Sequence, residues 1–389
     1  MLVLLLAVWL AACGQEAASD QNSGGDGGAN AGSAAEGYSS GSTTNNETSE
    51  DEDADSGGDL PEEGTITLAH KSLNYYAFVA MQEGAKAKTE EYGWEFEAAV
   101  ADMDSGTQMN QVMNFIAKKP LAIISDPIDS EGLVTATDQA MEAGIPVGIF
   151  DTPLTAGEQT FTVAFDNYKA GEMAAQEIVN RLEEKYGEPK GIVLNAYGAL
   201  ESSAWRARKE GFDAVMEKYA DITYLSMPGE GDMQKTQDAA LNAIAEHGTI
   251  DAVHAPSDTP ALGLYEALKQ TDHLHKVGEE GHVIFVTIDA EPIALQRVEE
   301  GYYDATINQD CIAYGEITVE MLAEYTLQGK DIPTDFTYEN DRYYWETAEI
   351  IAGETGPHMV IDPYVVDQSN VDDPRHWGHI ASNEYGIEY

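Results

Sequence analysis

Basic residues are scarce in this chain of 389: 20 Lys and Arg stand against 70 Asp and Glu, a formal charge of −50 at pH 7, and none of the bases precedes Lys71. A field of that sign repels phosphate backbones and excludes nucleic acid as a partner. It suits a salt-rich medium, where screening relieves self-repulsion, so a halophilic source is expected. Cysteine is nearly absent: Cys13 and Cys311 are the only two, and no disulfide framework is expected. Long apolar runs are missing too. Met1–Ala12, MLVLLLAVWLAA, is too short to span a bilayer and has the length of a signal-peptide core. Catalytic signatures are lacking. No P-loop, H-E-x-x-H or strand-borne G-x-G-x-x-G occurs, and the one G-x-S-x-G string, Gly37–Gly41, has no strand before it to make an elbow. The reading is therefore of a protein that is not an enzyme and needs no cofactor or metal. His376 and His379 in HWGH offer a metal pair on paper but read more readily as surface residues of a tail.

What is present begins with Leu10–Gly14, LAACG, which resembles a bacterial lipobox. It makes Cys13 the expected lipidated first residue after cleavage, with the chain anchored to a membrane in the periplasm or at the cell surface. Residues 14–64 carry 13 acids, no base and almost no large apolar residue, the composition of a disordered tether. From Thr65 the pattern alternates. Thr65–Ala69, Trp94–Ala98, Leu121–Ile124, Val147–Phe150 and Phe161–Ala164 read as strands with helices between. The alternation restarts at Tyr168, with strands at Gly191–Asn195, Ile222–Leu225, Ala252–His254, Val283–Ile288 and Ala305–Ile307. Strands alternating with helices argue parallel sheets covered on both faces, and two α/β halves fit better than one wide sheet. Phe336–Tyr338 and Tyr343–Trp345 are strand-like, and few periodic apolar positions follow Ala352.

The stretch Lys190–Phe212, KGIVLNAYGALESSAWRARKEGF, is a strand, a loop and a helix start capped by Ser202 or Ser203. In an open parallel sheet such a junction faces the ligand crevice. Arg206, one turn into that helix, is the expected cleft arginine, although it also stands at i,i+4 spacing from Glu210. Other polar and aromatic residues fall at strand ends: His70, Lys71, Asn74, Tyr75, Tyr76 and Phe78, then Asp151, Ser257 with Asp258, Asp289, and Gln309. Carboxylates, amides and an arginine both accept from and donate to hydroxyls, and the C–H faces of a sugar ring pack on aromatic rings such as Tyr75, Tyr76, Phe78 or Trp205. The inventory suits a neutral polyhydroxylated ligand.

SSAWRARKEGF (Ser202–Phe212) resembles the small-small-x-R-x-R-x-x-G-F segment of type I periplasmic substrate-binding proteins of ABC transporters, in the ribose-binding-like branch. SLNYYAF, AGIPVGIFD, AFDNYKAGEMAA, APSDTPALGLYEAL, VTIDAEP and DATINQ are similar in order and spacing, over roughly residues 64–351. The resemblance implies two doubly wound parallel-sheet lobes joined by a three-strand hinge. Lobe one would be 65–165 with 310–337, lobe two 166–309 with 338–351, and 352–389 a C-terminal extension. It implies a sugar or polyol held by Tyr75, Phe78, Asp151, Arg206, Ser257, Asp258, Asp289 and Gln309, delivered by a monomer to an ABC permease. His70, Lys71, Asn74, Tyr76 and Trp205 are additional candidates. Thr152 stands where the family often has arginine, Ser257 where it has asparagine, and Tyr76-Ala77 where it has Pro-Phe. These departures make a larger sugar, a sugar alcohol or another polyol as eligible as ribose. A sensory protein passing ligand state to a receptor or histidine kinase shares the same features, and an extracytoplasmic sugar-modifying enzyme is the third class. A sugar-responsive repressor would need a basic helix-turn-helix where this chain has an acidic tether.

Overall fold

The computed structural model describes residues 58–387. Cys13, the apolar run before it and the tether up to residue 57 lie outside the described residues. The first half comprises β1 (Thr65–His70), α1 (Tyr76–Glu91), β2 (Glu95–Val100), α2 (Ser105–Lys118), β3 (Ala122–Ser125), α3 (Val134–Glu142), β4 (Val147–Phe150) and β5 (Phe161–Phe165). The second comprises α4 (Asn167–Tyr186), β6 (Gly191–Tyr197), α5 (Ser203–Met216), β7 (Ile222–Pro228), α6 (Met233–His247), β8 (Ala252–His254), α7 (Asp258–Gln270), β9 (Ile284–Asp289), α8 (Pro292–Glu300) and β10 (Ala305–Asn308). The chain ends with α9 (Cys311–Glu324), β11 (Phe336–Glu339), β12 (Thr347–Gly353), β13 (Gly356–Ile361), β14 (Tyr364–Val366) and α10 (Trp377–Tyr385).

Two sheets result. The first runs β11-β12-β13-β5-β4-β3-β1-β2, and the second β14-β10-β9-β8-β6-β7. All pairings are parallel except β11 with β12, β12 with β13, and β10 with β14. The central strands β3, β4, β5, β8, β9 and β10 are buried along their whole length, as expected of strands covered on both faces. Helix starts are fixed locally: Asp104, Asp166, Asp232 and Asp310 each accept a hydrogen bond from the backbone N–H three residues on.

The chain passes between the lobes three times, at Asp166, at Gln309–Asp310 and at Asp362–Pro363. The third passage lies later than expected. Residues 338–351 do not join lobe two: β12 pairs with β13, β13 continues the first sheet by pairing with β5, and only β14 reaches the second sheet. Tyr343–Trp345 is a bend and turn, not a strand: the Tyr343 N–H is tied back to Asn340 Oδ1 at 2.7 Å, and the segment belongs to neither sheet. The tail packs on the body. Trp377 is fully buried, and α10 packs on α8 of the second lobe and on α9 and α1 of the first. Its far end is tied to lobe one through Arg342 to Glu384 at 2.9 Å and Tyr385 Oη to Glu316 Oε1 at 2.6 Å. The largest apolar cluster draws on both sheets, from Ile66 and Phe150 to Ile288 and Ala305, and takes in Trp377 and Ile380. Among the described residues no helix is long and apolar enough to cross a membrane.

Candidate functional site

The carboxyl ends of β1, β4, β6, β8, β9 and β10 converge on one cavity of about 560 Å³ between the lobes, the position that open α/β sheets give to ligands. Of the residues the sequence singles out, Phe78, Asp151, Ser257, Asp289 and Gln309 line it, together with Lys71 and Trp205.

Arg206 does not. Its guanidinium turns back to the Leu200 carbonyl at 2.9 Å. The cleft arginine is Arg208, which is 2% exposed and lines the cavity. The helix period explains the correction. Ala204, Trp205, Arg208, Gly211, Phe212 and Val215 form the buried stripe of α5, and Arg208 stands four residues before Phe212, whereas Arg206 falls between turns of that stripe. The spacing was legible in the sequence. Close packing of α4 on α5 fixes Arg208 further. A Cβ at Gly171 would stand 2.0 Å from the Arg208 carbonyl oxygen, and one at Gly211 2.0 Å from that of Tyr168.

Five other candidates lie behind or beside the cavity. Asp258, the first residue of α7, is buried beneath it and accepts from the Glu291 N–H at 2.7 Å. His70 is buried between Asp126 Oδ1 and the Phe78 carbonyl oxygen, at 2.9 Å each, and so holds the first turn of α1. Tyr75 stacks on Phe78 at 4.8 Å and donates its hydroxyl to the Gly231 carbonyl. Tyr76 packs at the edge of the core. Asn74 does not line the cavity either; its backbone N–H bonds Ser72 Oγ at 3.1 Å.

The lining groups form one connected network. Lys71 Nζ donates to Asp151 Oδ2 at 2.6 Å and to Thr152 Oγ1 at 3.0 Å, and lies 5.1 Å from the Phe78 ring centre. The family's missing arginine after Asp151 is thus matched by a lysine from the end of β1, two strands away in the same sheet. Gln309 Nε2 donates to Asp151 Oδ1 at 3.4 Å, and Gln309 Oε1 accepts from Arg208 Nη2 at 2.7 Å. Arg208 also donates to Asn167 Oδ1 at 2.8 Å, to Asp289 Oδ1 at 3.1 Å and to the Pro256 carbonyl. Ser257 closes the chain by donating to Asp289 Oδ2.

Both aspartates sit in left-handed backbone, Asp151 at φ 62° and Asp289 at φ 119°, with Ala290 at 61°. Such conformations cost energy and persist where the surroundings over-determine them. At Asp289 the surroundings are Trp377, whose indole N–H donates to the Asp289 carbonyl at 2.6 Å, and Thr306 Oγ1, which accepts from the Ala290 N–H at 3.1 Å.

Charge in the site is graded. Burial pushes Asp151 up, but Lys71 and Arg208 outweigh it and hold that carboxyl below its ordinary value. Burial raises Asp289 to about 6 against the pull of Arg208 and Ser257, with Asp151 adding to the rise. Glu291, behind it, is raised by burial and by Asp289 to about 8, and burial with both neighbours holds Asp258 well up. Asp151 is thus the carboxyl held ionised, against Lys71 and Arg208, while Asp289 and, behind it, Glu291 hold their protons more strongly than ordinary carboxyls.

Among the described residues no group of three or more His, Cys, Asp and Glu is placed to hold a metal. His376 is buried, not on the surface, and its ring nitrogens meet Tyr364 Oη and the Asn370 carbonyl; His379 Nε2 meets the Val371 carbonyl. Cys311 is buried near the site with its thiol pushed up by burial, the state of an inert thiol.

The lobes meet around the cavity. Ser130 Oγ and Ser203 Oγ are 2.9 Å apart, Ser203 Oγ donates to the Pro153 carbonyl at 2.8 Å, and the Ala77 N–H reaches Glu291 Oε1 at 3.3 Å.

This geometry has close parallels. The ribose import binding protein of Bacillus subtilis is 29% identical over 272 residues, which cover 70% of this chain and 84% of that protein. The D-allose-binding periplasmic protein of Escherichia coli is 26% identical over 275 residues, 68% of this chain and 85% of that protein. Among solved structures, an ABC transporter solute-binding protein of Bacillus halodurans with bound myo-inositol superposes with a TM-score of 0.67 at 26% identity, covering 81% of this chain and 98% of that one. The model of the periplasmic binding protein domain matches residues 66–331, and with two lobes, three crossings and a cleft at the strand ends the chain belongs to the periplasmic binding protein family.

Proposed function

We propose that this protein captures a sugar or related polyol in the interlobe cavity and delivers it to an ABC transporter permease, without chemically changing it. The network from Lys71 through Asp151, Gln309, Arg208 and Asp289 to Ser257 carries this reading. It alternates donors and acceptors, draws on both lobes and lies beside the rings of Phe78 and Trp205. That combination matches hydroxyls on an otherwise apolar ring. Contacts from both lobes exist together only in the closed state, so binding shifts the hinge equilibrium toward closure. The ligand residues of this reading are Lys71, Phe78, Asp151, Trp205, Arg208, Ser257, Asp289 and Gln309.

A thermal-shift panel of sugars and polyols, followed by calorimetry, tests it. At least one member should raise the melting temperature of the wild type and not of Asp289→Ala. A panel without effect would remove the reading. Turnover of the bound sugar would favour an enzyme, and co-occurrence with a histidine kinase instead of a permease would favour the sensory role. The lipobox at Leu10–Gly14 supports an extracytoplasmic chain anchored through Cys13. On that reading Cys13→Ser releases the protein from the membrane fraction.

A further inference from the structure

The cavity is graded from base to mouth. At the base Lys71, Asp151, Arg208, Asp289 and Gln309 are each 5% exposed or less. At the mouth the lining changes character: Met103 and Leu200 are each 39% exposed, Glu230 is exposed, and Ile128, Asp129 and Ala199 are half-buried. Large apolar side chains at the rim of a polar pocket give the C–H face of a sugar ring a surface to pack on.

Volume points the same way. A hexose displaces about as much as six waters, roughly 180 Å³ at about 30 Å³ per water. The cavity holds about 560 Å³. Open lobes do not account for the surplus, because Tyr75 already meets Gly231 and Ser130 meets Ser203 across the cleft. The room comes from small side chains where the walls could have been bulky, namely Ala77 on α1, Ala204 on α5 and Gly198-Ala199 in the loop after β6. Trp205 cannot swing out to fill it. Its ring is clamped between Gly198 and Gly231, where an added Cβ would stand 2.5 and 2.2 Å from ring atoms.

Resting on the sugar-binding reading above, we propose that the ligand is a disaccharide: one ring is gripped by the charged base, and a second, glycosidically linked ring lies at the mouth. There its C–H face covers Met103, Ile128 and Leu200, and its hydroxyls donate to Asp129 and Glu230.

The test is calorimetry of the wild type with ribose, allose, glucose, galactose and myo-inositol beside maltose, trehalose, cellobiose and melibiose. At least one disaccharide should bind ten-fold or more tightly than either of its component sugars. A monosaccharide or inositol that binds as tightly as every disaccharide overturns the inference and leaves the sugar reading standing. Binding by none of the nine overturns both. Two variants at the exposed mouth locate the second ring. Ala199→Trp and Leu200→Ser should each weaken the disaccharide ten-fold or more and change the inner monosaccharide less than two-fold. An equal effect on both ligands places the second ring elsewhere and overturns the assignment.

Discussion

Arg208 Nη1 lies 3.1 Å from Asp289 Oδ1, and both side chains are 2% exposed. The guanidinium of Arg206, two residues earlier on the same helix, bonds only the loop carbonyl of Leu200 among the described residues. Truncating one member of a buried hydrogen-bonded charge pair costs roughly 2–5 kcal/mol. Arg208→Ala should therefore weaken sugar binding by that amount, and Arg206→Ala should leave it within about two-fold. Calorimetry of the two variants side by side separates these positions, and equal losses would contradict the assignment.

Lys71 and Asp151 form a second buried pair. Lys71→Met leaves the Asp151 carboxylate without its nearest cation, and breaking such a pair costs about 3–5 kcal/mol. The double variant Lys71→Met with Asp151→Asn removes the stranded charge. It should regain most of the melting temperature but none of the ligand affinity. Thermal unfolding and calorimetry read the two effects separately.

Glu291 gives stability a pH dependence whose sign follows from its raised value. In the unfolded chain a glutamate loses its proton near pH 4.3, whereas in the fold Glu291 holds it to about pH 8. Between those values the folded state binds more protons than the unfolded state, so stability is full below the lower value and falls as pH rises through the upper one. The ligand-free protein should melt lower at pH 8 than at pH 5. Glu291→Gln, which keeps an oxygen to accept from the Ala77 N–H and Thr259, should flatten that slope. An unchanged slope would place the proton uptake elsewhere.

Trp377 supports the φ 119° backbone of Asp289 from behind through its indole N–H. Trp377→Phe keeps an aromatic ring but removes the donor and part of the bulk; the buried carbonyl left unpaired alone costs about 1–3 kcal/mol. A several-fold loss of sugar affinity beyond the change in melting temperature would show that the tail positions Asp289; a loss of stability alone would show that it only packs.

The parallel strands were legible because each is a short apolar run bounded by turn residues, and most observed bounds lie within a few residues of those expected. The cleft was legible for the same reason: Asp151, Asp289 and Gln309 follow directly from strand ends. Arg208 was missed although the Trp205–Phe212 spacing marks its face. Two arginines in one motif invite a choice by distance from the cap, and burial is decided by helix phase. The final strands were hidden for a different reason. β12 alternates in burial, with Ala348 and Ile350 inward, but its exposed face carries the apolar Ile351, so the sequence itself shows no clean alternation. The helix of Trp377 is nine residues long, too short for a clear period. Tertiary contact with α8 and α9 makes that helix, not local propensity.

The first sheet is stitched from two distant stretches of chain, with β11, β12 and β13 joining strands made some two hundred residues earlier, while the parallel strands of the second sheet are contiguous between Gly191 and Asn308. During synthesis from the amino end, the second lobe has all of its parallel strands on hand before the first can cover α1 with α9. The early lobe waits, with Met81, Gly84 and Ala85 bare to water, until Cys311–Glu324 leaves the ribosome. Lesions near the carboxyl end therefore strand a half-finished amino-terminal lobe for chaperones and proteases to find.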